Sequence, residues 1–133
     1  MMTTQKSLLY VEDDRDDQEF FYDAMQVSHP DLKIITADSG QAALDYLNRA
    51  AEAGELPGLM VLDINLPVFD GKELMRTLKA NPLLEHLPVV VFTSSQSPAD
   101  KEWAEAIGLS LYNKPYDIGL MPGVVEDLLG YMR

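Results

Sequence analysis

The chain has 133 residues and a formal net charge of −12, from 22 Asp and Glu against 10 Lys and Arg. That length suits one ordinary domain, and the absence of cysteine excludes disulfides, thiolate metal sites and thiol nucleophiles. So acidic a surface gathers counterions rather than releasing them, which excludes direct binding to nucleic acid or to anionic membranes.

Hydrophobic content of 47% and charged content of 24% are globular values, so the acidity does not signal disorder. No apolar run approaches the roughly 20 residues that span a bilayer, and residues 1–7 lack a signal-peptide core. The expectation is a cytoplasmic protein with one domain over 1–133 and no output domain. Half of the net charge lies between Glu12 and Asp23, where seven acids meet one base, Arg15.

In chain order, short apolar runs alternate with stretches of helical period. Residues 8–11 (Leu8, Leu9, Tyr10, Val11) stop abruptly at acids, as a strand buried on both faces does. Over 14–28, Phe20 and Ala24, and Phe21 and Met25, stand at i,i+4 spacing, which predicts a helix with one buried face ending near His29-Pro30. A weak second strand covers 33–36. Ser39 is placed to cap a helix that carries Ala43, Leu44, Leu47 and Ala51 inward and that Gly54 stops. The third strand, 59–62, ends at Asp63; after Pro67, Asp70 and Gly71 a helix is predicted over 72–80. A buried strand over 88–92 ends at Thr93, a helix follows over 98–107, and a short strand over 109–113 ends at Lys114-Pro115. The last helix is the weakest, because Gly119, Pro122, Gly123 and Gly130 oppose its apolar stripe of Val124, Val125, Leu128 and Leu129, and Pro122 is harmless only in a first turn. Five strands alternating with five helices predict one three-layer α/β domain with a parallel sheet.

Ligands of such sheets bind outside the carboxyl ends of the strands. Those ends carry Glu12-Asp13, Asp63, Thr93-Ser94 and Lys114. If the first and third strands are neighbours, three carboxylates converge, and close carboxylates repel by about 4 kcal/mol at roughly 4 Å and an effective dielectric near 20. Protonation or a divalent cation would offset that, and all-oxygen ligation by few carboxylates suits Mg²⁺ with phosphate oxygens. Lys114 and Thr93 complete a set able to stabilise a transferring phosphoryl group, for which a carboxylate can be the nucleophile.

Val11-Glu12-Asp13-Asp14, Leu62-Asp63-Ile64-Asn65-Leu66-Pro67, Asp70-Gly71, Phe92-Thr93-Ser94 and Lys114-Pro115 together resemble a response-regulator receiver domain, of the single-domain type to which the chemotaxis protein CheY belongs. Leu62–Pro67 with Leu78-Lys79-Ala80-Asn81-Pro82 further resembles receivers that partner phytochrome-type kinases. The resemblance implies a flavodoxin-like (CheY-like) fold with strand order 2-1-3-4-5. It implies that Asp63 accepts a phosphoryl group from a sensor histidine kinase or phosphotransfer protein. Asp13, Asp63 and the backbone carbonyl of Asn65 would ligate Mg²⁺, with Glu12 supporting it through water. Thr93 and Lys114 would contact the phosphate, Asn65 and Ser95 would tune the hydrolytic water, and Pro115 would follow a cis bond. The chain would promote only its own phosphorylation and dephosphorylation. Output to a downstream protein, as monomer or dimer, would run through the fourth helix, fifth strand and fifth helix, around Trp103, Leu111 and Tyr112.

One departure concerns that output. The family carries Tyr or Phe three residues before the lysine, and here that position is Leu111, with Tyr112 next. Alternation puts the two on opposite faces unless a bulge shifts the register. The remaining acids after Asp13, including Asp14, Asp16, Asp17 and Glu19, are read as a helix start facing its dipole; His29 and His86 as surface residues; and Trp103 as core. Other chemistries fit less well. A haloacid-dehalogenase-like phosphatase needs an acid at Asn65, a flavodoxin needs a phosphate loop after strand one, and no nucleotide or EF-hand loop is present. The rival is a phosphorylation-independent pseudo-receiver.

Overall fold

The computed structural model describes residues 6–133; residues 1–5, most of the stretch read as lacking a signal-peptide core, lie outside it. Its elements run β1 Ser7–Val11, α1 Arg15–Ser28, β2 Lys33–Ala37, α2 Gly40–Ala53, β3 Leu59–Leu62, α3 Gly71–Lys79, β4 Val89–Thr93, α4 Pro98–Ala106, β5 Leu111–Asn113 and α5 Met121–Leu129, with a 3₁₀ turn at Ile118–Leu120. All four strand pairings are parallel and the order is β2-β1-β3-β4-β5, as expected. No helix among the described residues is long and apolar enough to cross a membrane.

Strand side chains alternate between two cores. Leu9, Val11, Met60, Leu62, Val89 and Val91 pack with α2, α3 and α4, whereas Leu8, Tyr10, Leu59, Val61, Val90 and Phe92 pack with α1 and α5. Both sets are buried, which is why β1, β3 and β4 each read as an apolar run. On the second face Phe21 of α1 meets Tyr10 at 4.2 Å and Phe92 at 6.3 Å between ring centroids, tying α1 to β1 and β4.

The helix ends follow their capping chemistry. Asp14, Ser39 and Asp70 accept hydrogen bonds from Asp17, Ala42 and Glu73 backbone N–H groups, and Gly54 ends α2 in the left-handed region at φ 70°. In α2, Gly40, Ala43, Leu47 and Ala50 are buried, and Leu44 and Ala51 pack, partly buried, against the same core. The last helix forms in spite of its glycines because Pro122 falls in its first turn and Met121, Val125 and Leu128 are buried. The fifth strand is shorter than predicted, beginning at Leu111, and the bond before Pro115 is trans rather than cis, the isomer X–Pro bonds favour by about 0.5–1 kcal/mol.

Gly71 marks the tightest join near the polar end of the sheet. Its N–H donates to the Ile64 carbonyl at 3.1 Å, and a Cβ there would stand 2.6 Å from Ile64 Cα and 3.1 Å from the Asp63 carbonyl oxygen. Both neighbours are backbone, so Gly71→Ala is expected to lower stability to urea by about 1–3 kcal/mol. Gly123, on the open side of α5 with nothing within 4 Å of its Cβ position, is the opposite case: Gly123→Ala is expected to raise stability by about 0.5–1 kcal/mol in the same assay.

Candidate functional site

Pairing of β1 with β3 sets Val11 beside Leu62, so the residues that follow each strand emerge together. The Asp63 N–H donates to the Val11 carbonyl at 3.0 Å and the Glu12 N–H to Ala37 at 2.9 Å, which locks the backbone under both acids. One carboxylate oxygen from each of Glu12, Asp13 and Asp63 lies within 4.8 Å of the others. From β5, the Lys114 N–H donates to the Thr93 carbonyl at 2.9 Å, and its side chain enters the same cleft, of about 510 Å³. A larger cleft of about 650 Å³, lined by Lys6, His29, Leu32 and Met132 among others, contains one acid, Asp31, and no comparable cluster.

Lys114 organises the site. Its ammonium donates to Glu12 Oε1, to Asp17 Oδ2 at 2.8 Å and to Asp63 Oδ2 at 2.9 Å. Burial alone would lower its pKa, but hydrogen bonds to Asp17, Glu12 and Asp63 outweigh that and hold it above the ordinary lysine value. Asp63, 4% exposed, also accepts the Asn65 N–H on Oδ1 at 3.1 Å. Glu12, 1% exposed, accepts from Tyr10 Oη at 3.3 Å and from the Asp14 N–H at 3.2 Å. Burial, followed by the Glu12, Asp17 and Asp63 charges, pushes the Tyr10 hydroxyl pKa up, so that it stays a donor.

Sequence reasoning brought Glu12, Asp13, Asp63, Asn65 and Lys114 to this cleft, and the structure places all five there. It missed Asp17. Read as a solvated helix-start acid, Asp17 instead reaches Lys114, because the first turn of α1 lies back over the strand ends. Thr93 is fully buried at the end of β4, with Oγ1 accepting the Ser95 N–H at 3.2 Å. Ser95 is not among the residues lining the cleft: its hydroxyl donates to Asp100 Oδ2 at 2.5 Å, and Asp100 also pairs with Lys72 at 2.8 Å. Lys72 and then Ser95 hold the Asp100 pKa below its ordinary value.

The β5 pairing runs in regular register, with Leu111 opposite Val91 and Tyr112 opposite Phe92, so no bulge intervenes. Leu111 faces the α2–α4 core. Tyr112 faces the other core, and its hydroxyl lies 2.9 Å from that of Tyr131. Trp103 packs at the edge of the first core with the Lys72 ammonium 5.6 Å over its ring, and His29, exposed in part, pairs with Glu126 of α5 at 2.7 Å.

The sequence profile described as the response regulator receiver domain matches residues 8–123. The chain belongs to that family. It is 36% identical over 97 residues to response regulator Rcp1 of Synechocystis sp., a stretch covering 71% of this chain and 66%, just under two thirds, of that protein. Over 128 residues it is 30% identical to the polar-differentiation response regulator DivK of Brucella ovis, 96% of each chain. Among solved structures it is similar to the phosphorylated cyanobacterial phytochrome response regulator RcpA (TM-score 0.83, 26% identity, 98% of both chains). It is similar also to the Mn(2+)-bound form of Rcp1 (TM-score 0.82, 29% identity, 95% of this chain and 93% of that one). The expected likeness to phytochrome-associated response regulators therefore holds, and the oxygen-only cluster of Glu12, Asp13 and Asp63 fits a divalent cation.

Burial, followed by the Asp63 charge, raises the Glu12 pKa from 4.5 to about 7 in spite of the Lys114 contact. A folded-state pKa above the unfolded one means that the folded receiver binds the extra proton, so this group weakens folding as pH rises from 4.5 to 7. The metal-free protein is expected to gain on the order of 2–3 kcal/mol from Glu12 as pH falls through that window. Urea unfolding in a chelator at several pH values measures it, and Glu12→Gln is expected to flatten the dependence.

Proposed function

We propose that this receiver is a phosphorylation-controlled switch in a two-component relay. Asp63 takes a phosphoryl group from a phosphohistidine on a sensor histidine kinase or phosphotransfer protein, and the result is read by contact with a downstream protein. The observation that carries this is Lys114 donating to Asp63 beside a cluster of three carboxylates, at the carboxyl ends of β1, β3 and β5. A surface ion pair needs no such convergence; a site that must hold both a cation and a phosphoryl group does.

The chemistry follows from the donors present. An Asp63 carboxylate oxygen attacks phosphorus, the phosphorus–nitrogen bond of the donor breaks, and its electron pair stays on the imidazole. Asp63, Asp13, the Asn65 carbonyl and, through water, Glu12 would hold Mg²⁺, which when bound neutralises charge on these groups and on the phosphoryl oxygens. Lys114 presents a fixed positive charge to one phosphoryl oxygen, and the Thr93 hydroxyl can donate to another. The chain turns over no external substrate in this scheme: it promotes formation and hydrolysis of its own acyl phosphate.

Incubation with acetyl phosphate and Mg²⁺ is expected to add one phosphoryl mass to the wild type and none to Asp63→Asn, read by intact mass spectrometry. Labelling retained in the mutant would overturn the assignment of Asp63. An unlabelled wild type would favour the pseudo-receiver reading, for which the specific observation is Leu111 at the family's aromatic position. Separately, Asp13→Ala is expected to weaken Mg²⁺ binding by about tenfold or more while preserving or raising metal-free stability, because like charges are relieved.

A further inference from the structure

Asp17 occupies the third position of α1, three residues after the N-cap Asp14. A Glu or Gln there reaches back to the N-cap backbone N–H in a reciprocal capping pair, a reach that the shorter Asp side chain makes less readily. Half of that pair is present: the Asp17 N–H donates to Asp14 Oδ1 at 3.1 Å. The other half is not, because the Asp14 N–H goes to Glu12 Oε2 at 3.2 Å. The Asp17 carboxylate is thereby released from capping and turned onto Lys114 Nζ at 2.8 Å.

An ammonium has three donors, and here each serves a different carboxylate. Two of the three acids change partners in the proposed reaction: Asp63 becomes an acyl phosphate, and Glu12 belongs to the cation cluster with Asp13. Asp17 lies outside that cluster. Its bond to Lys114 is the one that neither cation binding nor phosphoryl transfer consumes.

We infer that Asp17 is a positioning residue for phosphoryl transfer: it anchors the Lys114 ammonium from the α1 side and so holds one N–H where the phosphoryl oxygen arrives. The inference rests on the reading of Asp63 as phosphoacceptor. It makes a prediction opposite in sign to that of simple charge repulsion. Removing an acid from an anionic pocket favours approach of an anionic donor and speeds transfer, whereas loss of the anchor frees the Lys114 ammonium to leave the position it holds between Glu12 and Asp63 and slows it.

The test uses the full chain with acetyl phosphate at saturating Mg²⁺, comparing wild type, Asp17→Asn, Lys114→Met and the double variant. Asp17→Asn is expected to slow labelling by about fivefold, as suits a partly exposed ion pair. Mg²⁺ affinity of the unphosphorylated protein, titrated separately, is expected to stay within about twofold, and in the Lys114→Met background Asp17→Asn is expected to add nothing. Asp17→Glu, which keeps the charge within reach of a flexible lysine, is expected to restore most of the rate. Faster labelling in Asp17→Asn, a fall in Mg²⁺ affinity as large as the fall in rate, or equal slowing in the Lys114→Met background would each overturn the anchoring role. Wild-type labelling at a residue other than Asp63 would instead remove the reading beneath it, so the two failures are distinct.

Discussion

Like charges brought together need a counterion, and in this receiver the counterion is a lysine from the far end of the chain. Glu12, Asp13 and Asp63 are brought into proximity by the parallel pairing of β1 with β3, which fixes the backbone that carries them. Lys114, 11% exposed, spans Glu12, Asp17 and Asp63 and makes the arrangement tolerable in a partly buried cleft. Glu12, Asp13, Asp17 and Asp63 against one ammonium still leave an excess of negative charge, which a divalent cation reduces. The site is thus stable enough to fold and incomplete enough to respond.

The rest of the fold serves to hold that geometry. Tyr10 has its ring in the α1–α5 core and its hydroxyl on Glu12, so packing and electrostatics meet in one side chain. Gly71 lets α3 start against the backbone that carries Asp63. Past Thr93, the connection to α4 is held by hydrogen bonds rather than by an aromatic plug: the Asn113 amide donates to the carbonyls of Thr93 and Ser95, and Ser95 reaches Asp100. With Leu111 in one core and Tyr112 in the other, β5 touches both sides of the sheet within two residues.

Most of this was legible because the local signals agree with the global fold. Strands buried on both faces read as apolar runs, and Asp14, Ser39, Gly54 and Asp70 mark helix ends by chemistry that needs no tertiary context. The five motif residues of the cleft stand at strand ends, where a parallel sheet places its ligands. Asp17 was not legible, because its partner lies 97 positions away and its own sequence context, an acid three residues past an N-cap, is explained equally well by the helix dipole. The trans bond at Pro115 and the late start of β5 depend on how a short connection closes, which apolar patterning does not encode.

The brevity of β5 has a colloidal side. An open sheet exposes unpaired backbone groups along its two outermost strands, and these can template another chain. Here one border, β5, is three residues long, enough for very few ladder bonds. The other, β2, is five residues long and opens on an exposed lysine, Lys33. With a net charge of −12 repelling any second copy, edge-to-edge growth is discouraged at both borders, and the sheet can leave its strand ends open to solvent without inviting aggregation along its sides.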